Sequence, residues 1–158
     1  MIGDVCKYTP VEVFEAMGVE IGRIQPEVTN FNQADTLMHP NICSFTKSVL
    51  EDVLAGDYEG VVLTTCCDSI RRLYDVLKQQ CPDKFLYLLD VPRKVNDFST
   101  DMYRKNILDM VHAYEAFSGK TFDEIVLKQL LERREAGQNL RTAPKNKASV
   151  QYFRQFVH

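Results

Sequence analysis

No stretch of this sequence stays apolar for the roughly 18 residues that a membrane-spanning helix needs, so no such span is expected. An excess of positive charge is missing as well. The 158 residues carry a formal net charge of −3, which gives no reason to expect nucleic acid or an acidic membrane surface as a partner. The opening "MIGDVCKYTP" has no basic segment leading into an apolar one. No signal peptide is therefore expected, and the cytoplasm is the default compartment. Cysteines are few and odd in number: Cys6, Cys43, Cys66, Cys67 and Cys81. An odd set in such a compartment argues against a disulfide framework, and the lack of a CxxC pair argues against a closed structural zinc site. Buried thiols, a redox thiol, or ligands gathered from separate loops remain.

What is present is a chain with 45% hydrophobic and 26% charged residues, enough for a core of ordinary size. There is no internal repeat and no low-complexity segment. "TPVEVFEAMG" reads as a short helix, with Thr9 as N-cap, Pro10 at the first position, Glu12 completing a capping box and Gly18 as the stop. "VEIGRIQ" reads as a strand, and the polar, Pro-bounded residues 26–40 as a loop. In "NICSFTKSVLEDVLAGDYEG" a helix places Phe45, Val49, Leu50, Val53 and Leu54 near one face and ends at Gly56. "GVVLTT" is a short apolar run of the kind buried on both faces of a parallel sheet. A helix from Asp68 follows, with Ile70, Leu73, Tyr74 and Leu77 at core spacing, and then the strand "KFLYLLDVP". Strand, helix, strand, helix, strand predicts an α/β sandwich around a short parallel sheet over residues 1–95.

After Pro92 the pattern changes to helices, giving a helical extension over 96–158. "NDFSTDMYRKNILDMVHAYEAFSG" is amphipathic, with Met102, Tyr103, Ile107, Met110, Val111, Tyr114 and Phe117 on its apolar side. "GKTFDEIVLKQLLERREAG" predicts another helix, with Thr121 and Glu124 as a capping box and Gly137 as its stop. The last segment, "NLRTAPKNKASVQYFRQFVH", is basic and weakly helical at its end.

Two cysteines have an address that suggests chemistry. Cys67 lies where the strand "VVLTT" meets the next helix, and Cys43 lies at the start of the helix one unit earlier. Ligands bind along the edge where strand ends and helix starts meet. Unpaired N–H groups and the positive end of each helix favour a thiolate there, so the two sulfurs are candidates to converge. The plainer reading is that any one cysteine is a buried thiol, and Cys6 and Cys81 suit it. Cys66 is expected to point away from its neighbour at the strand end. His39 and Ser44 are weaker candidates for lining the site; Ser44 and Ser69 are candidate donors to sulfur or to open helix ends, and Asp68 is a candidate helix cap. Asp90 ends its strand on the ligand edge, and Lys145, Lys147 and Arg154 are candidates for phosphate contact.

The segments "HPNICSFTKSVLEDVL", "YEGVVLTTCCDSIRRLYDVL" and "FLYLLDVPRK" together resemble the 2-hydroxyacyl-CoA dehydratase and benzoyl-CoA reductase subunit family. "CKYTPVEVFEAMG" is similar to its opening, and "AYEAFSGKTFDEIVLKQLLERREAGQNLR" to the helical region after its first domain. The resemblance runs from about Asp4 to Arg141, in order. It implies a subunit of two α/β domains that holds a 4Fe–4S cluster through three cysteines. Cys43 matches the first ligand and Cys67 the second. The third belongs to a second domain, and no cysteine follows Cys81, so a fragment or a truncated relative is expected. The resemblance further implies an acyl-CoA substrate, a second dehydratase subunit and an ATP-dependent activator protein. The implied reaction is dehydration of a 2-hydroxyacyl-CoA after one-electron reduction of its thioester to a ketyl radical. Alternatives are a benzoyl-CoA reductase-type subunit, a non-catalytic half-subunit that pairs with a cluster-bearing partner, and a thiol redox protein using Cys66 and Cys67.

Overall fold

The computed structural model describes residues 1–135. These divide into two compact units: Met1–Cys6 with Gly22–Asp90, and Lys7–Ile21 with the described residues from Val91 onward.

The first unit is built on a four-stranded sheet. Strand β1 (Ile2–Asp4), β2 (Ile21–Arg23), β3 (Gly60–Thr64) and β4 (Phe85–Leu89) lie in the order β2-β1-β3-β4. The β1–β3 and β3–β4 pairs are parallel, with Asp4 opposite Val62 and Thr64 opposite Leu89. This is the α/β architecture expected from alternating apolar strands and amphipathic helices. Every residue of β3 is buried, which explains why "GVVLT" is apolar throughout rather than alternating. Helix α3 (Ser44–Ala55) and helix α4 (Asp68–Gln80) supply Val49, Leu50, Val53, Ile70, Leu73 and Leu77 to the core shared with Val61 and Leu63.

Two expectations are corrected in this unit. Residues 26–40 are not all loop, because Asn32–Leu37 forms helix α2. Its start has no side-chain cap of its own. Instead the buried Glu51 of α3 accepts hydrogen bonds from Gln33 N (2.7 Å) and Ala34 N (2.8 Å), satisfying two of the amides that a helix start leaves open. Phe45 does not join the core face of α3; it is 44% exposed in the first turn.

The second unit contains helix α1 (Val11–Ala16), helix α5 (Asp97–Ser118) and helix α6 (Glu124–Glu135). Tyr103, Ile107, Met110, Val111 and Tyr114 of α5 are buried, while Met102 and Phe117, expected on the same apolar side, are exposed. Phe14 meets Tyr114 edge to face at 5.2 Å between ring centroids. Gly18 and Gly119 follow α1 and α5 with φ of 65° and 71°, the left-handed stop that favours glycine.

Neither expected capping box forms. Pro10, not Thr9, stands at the N-cap of α1, and the Glu12 carboxylate turns to Arg134 of α6, whose other nitrogen reaches Glu15 at 2.7 Å. At α6 the cap is Asp123, whose Oδ1 accepts from Ile125 N at 2.8 Å, in place of Thr121. The expected stop at Gly137, the terminal helix, Lys145, Lys147 and Arg154 lie outside the described residues.

Candidate functional site

Cys43 and Cys67 occupy the same position on neighbouring helices: each is the N-cap, Cys43 of α3 and Cys67 of α4. Both are exposed and neither is in a disulfide. Cys67 holds its place because β3 ends at Thr64 and three residues carry the chain to the start of α4. The N-cap of α4 is therefore Cys67 rather than Asp68, which is the first helical residue and contributes negative charge to the first turn.

Several groups surround the Cys43 sulfur. Its Sγ shares a hydrogen bond of 3.1 Å with Oγ1 of Thr46, one turn further along α3. Partial burial raises the thiol, but hydrogen bonds from the Thr46 hydroxyl and amide, from the Ser69 hydroxyl and from the Phe45 amide outweigh it. The net effect holds the sulfur below the usual cysteine range, although neither amide completes a full capping bond. Ser69 lies in the first turn of α4, two residues after Cys67, and its hydroxyl is among the groups that lower the Cys43 thiol.

Cys66 behaves in the opposite way. Burial pushes its thiol up, and the neighbouring sulfurs of Cys6 and Cys67 push in the same direction, against a lowering contact from Thr64. Cys6 and Cys81 are buried. Among the weaker candidates, His39 is exposed, and its Nδ1 accepts from Asn41 N at 3.2 Å. Ser44 is exposed beside Cys43. Asp90 accepts from Thr65 Oγ1 at 2.5 Å, which ties the ends of β3 and β4 together. Thr46 was not singled out by sequence reasoning. A threonine inside an apolar helix carries no signal of its own; only the three-residue spacing from a cysteine could have flagged it.

The donor set fits part of an iron–sulfur site: two exposed thiols at adjacent helix starts, one of them hydrogen-bonded toward its thiolate form. Among the described residues there is no group of three or more His, Cys, Asp or Glu side chains able to hold a metal ion. A cluster on this edge would therefore need a further ligand from outside that set. Also among the described residues, no helix is long and apolar enough to cross a membrane.

Residues 6–149 match the family described as 2-hydroxyglutaryl-CoA dehydratase, D-component. The chain belongs to that family. It is also similar to the (R)-phenyllactyl-CoA dehydratase beta subunit of Clostridium sporogenes, with 27% identity over 139 residues. That match covers 83% of this chain and 36% of the relative, so the chain spans about a third of the relative's length.

Proposed function

We propose that this chain is the first cluster-binding part of a 2-hydroxyacyl-CoA dehydratase subunit, in which Cys43 and Cys67 are two thiolate ligands of a 4Fe–4S cluster. One observation carries the reading. The two cysteines stand exposed at the N-caps of adjacent helices, α3 and α4. Membership of the D-component family and the likeness to a dehydratase beta subunit support the reaction class.

When bound, such a cluster would lend one low-potential electron to the thioester carbonyl of an acyl-CoA and recover it once hydroxide and a β-proton had left, so that the dehydration would be redox-neutral overall. The residues of this chain do the rest of the work assigned to it. Cys43 and Cys67 present sulfur at two helix starts, and the Thr46 hydroxyl beside Cys43 favours the thiolate there. Thr46 and Ser69 offer hydroxyl groups to the Cys43 sulfur, and the exposed Ser44, Phe45 and His39 lie beside it in the chain. A third ligand comes from a further domain or a partner subunit. The substrate is an acyl-CoA, and an ATP-dependent activator is the electron donor.

Anaerobic purification together with the partner subunit tests this. Iron and acid-labile sulfide are expected in the native complex, and both are lost in Cys43→Ala and in Cys67→Ala. Cys81→Ala, a buried thiol off this edge, is expected to retain them. Iron retained in full by both ligand variants would overturn the assignment. A cluster carried wholly by the partner would favour the half-subunit scaffold.

A further inference from the structure

We propose that Glu12, in the second unit, is a latch with two positions. Closed on Arg134, it holds α6 against α1. Released, its carboxylate turns back to Thr9, completes the capping box and lets α6 go.

The closed position is the one in the structure. One arm of the Arg134 guanidinium takes Glu12 Oε1 and the other takes Glu15 Oε2. Thr9 and Glu12 are each 3% exposed. With Oε1 on Arg134, Glu12 Oε2 has no hydrogen-bond partner among the described residues, and neither has Thr9 Oγ1. Buried polar atoms are normally paired, so two orphans three residues apart require a reason. They are the two atoms that a capping box employs. The threonine hydroxyl would accept from the amide of Glu12, and the glutamate carboxylate from the amide of Thr9.

The backbone is one rotation away from that box. Val11 N donates to the Thr9 carbonyl at 2.9 Å across Pro10, whose φ of −79° and ψ of 79° form an inverse γ-turn. The proline φ already suits the first helical position; only ψ has to turn to the helical value. Pro10 then joins α1, and Thr9 becomes its N-cap. The two-armed pairing with Arg134 favours the closed position, and the two bonds to Thr9 favour the released one. An anionic group that draws Arg134 away therefore frees α6 and lengthens α1 together. None of this depends on a cluster.

A double-mutant cycle at Thr9 and Arg134 in the full chain reads both positions. Thr9→Val keeps the shape and removes the hydroxyl. Beside native Arg134 that hydroxyl makes no bond, so the unfolding constant from urea titration is expected to stay the same or fall. In Arg134→Ala the hydroxyl caps α1, and adding Thr9→Val is expected to raise the constant about fivefold, the loss of one N-cap. Hydrogen exchange in Arg134→Ala is expected to speed up about tenfold or more in α6, ahead of α5.

An equal effect of Thr9→Val in both backgrounds shows that Glu12 does not return to Thr9, and overturns the latch. A reversal of sign with α6 still protected as in the native chain overturns the release of α6 alone. Should Arg134→Ala fail to fold, Arg134→Gln is read in the same way.

Discussion

In the first unit, the thiols of Cys43 and Cys67 are exposed at helix starts; in the second, buried and half-buried charges are closed on one another. Cys43 and Cys67 are exposed, whereas Glu12 is 3% exposed and locked to Arg134, with Glu15 on the other arm of the same guanidinium. Tyr103 Oη donates to the Tyr8 carbonyl at 2.7 Å, and Lys120 Nζ to the Gly18 carbonyl at 3.2 Å. Removing one partner of a buried charge pair leaves the other uncompensated and destabilises a fold, while an exposed thiol contributes little to stability and remains available for chemistry. The difference marks the sheet edge as the place to look for function.

The largest expected effect lies on the closed side. Arg134→Ala leaves the buried Glu12 carboxylate without its cation and is expected to cost roughly 3 kcal/mol of unfolding free energy. Denaturant titration measures it. Burial already holds the Glu12 carboxyl above its usual range in spite of Arg134. The folded protein therefore binds the proton more readily than the unfolded chain. The penalty of the charged form shrinks as pH falls through that raised value, so the deficit in Arg134→Ala should narrow in acid. A deficit that widens in acid would break the contrast between the units.

Next in size is Glu51→Ala in the first unit, which removes the carboxylate serving Gln33 N and Ala34 N. A loss of about 1–2 kcal/mol is expected, with hydrogen exchange accelerated in α2 ahead of α3.

This case also shows what the sequence left hidden. Glu51 lies 18 residues from the first amide that it caps, so "PEVTNFNQADTLMHP" has no local mark of a helix start. Glu12 misled for the same reason. Its spacing from Thr9 matches a capping box, but its partner Arg134 is 122 residues away, and a buried carboxylate follows the cation rather than the local amide. Strands β3 and β4 and the core faces of α3 and α4 were legible, because periodicity records burial directly. Strand β1 was harder, being three residues long and identifiable mainly by its parallel pairing with β3. At the edge, the positions of Cys43 and Cys67 could be read from the strand-to-helix order. The hydroxyl of Thr46 could not, since it depends on side-chain direction within one turn.

Smaller still is the stability change in Cys43→Ala and Cys67→Ala. Cys67→Ala removes an exposed side chain and is expected to cost about 0.5 kcal/mol or less in the iron-free protein, whereas Cys43→Ala also takes the partner of the buried Thr46 hydroxyl and is expected to cost about 1 kcal/mol. Thermal unfolding of the iron-free variants checks it. A loss several times larger would make these cysteines part of the scaffold and erase the distinction drawn between the units.

An effect confined to alkaline pH concerns Tyr58, whose hydroxyl donates to Asp52 Oδ2 at 2.7 Å. Burial, and then the bond and charge of Asp52, push its phenol up to about 12. The folded state keeps this proton where the unfolded chain releases it near 10. Its contribution is therefore whole below pH 10 and is lost as pH rises toward 12. Tyr58→Phe should flatten that alkaline decline, as followed by denaturant midpoints across the window. An unchanged slope would show that the bond from Tyr58, just before β3, to Asp52 of α3 does not set the alkaline decline.

The most direct test of the central claim is iron-57 Mössbauer or electron paramagnetic resonance spectroscopy on the anaerobic complex. Native protein is expected to show a 4Fe–4S signal that disappears in both Cys43→Ala and Cys67→Ala. A full signal surviving in either variant would contradict shared ligation by those two sulfurs.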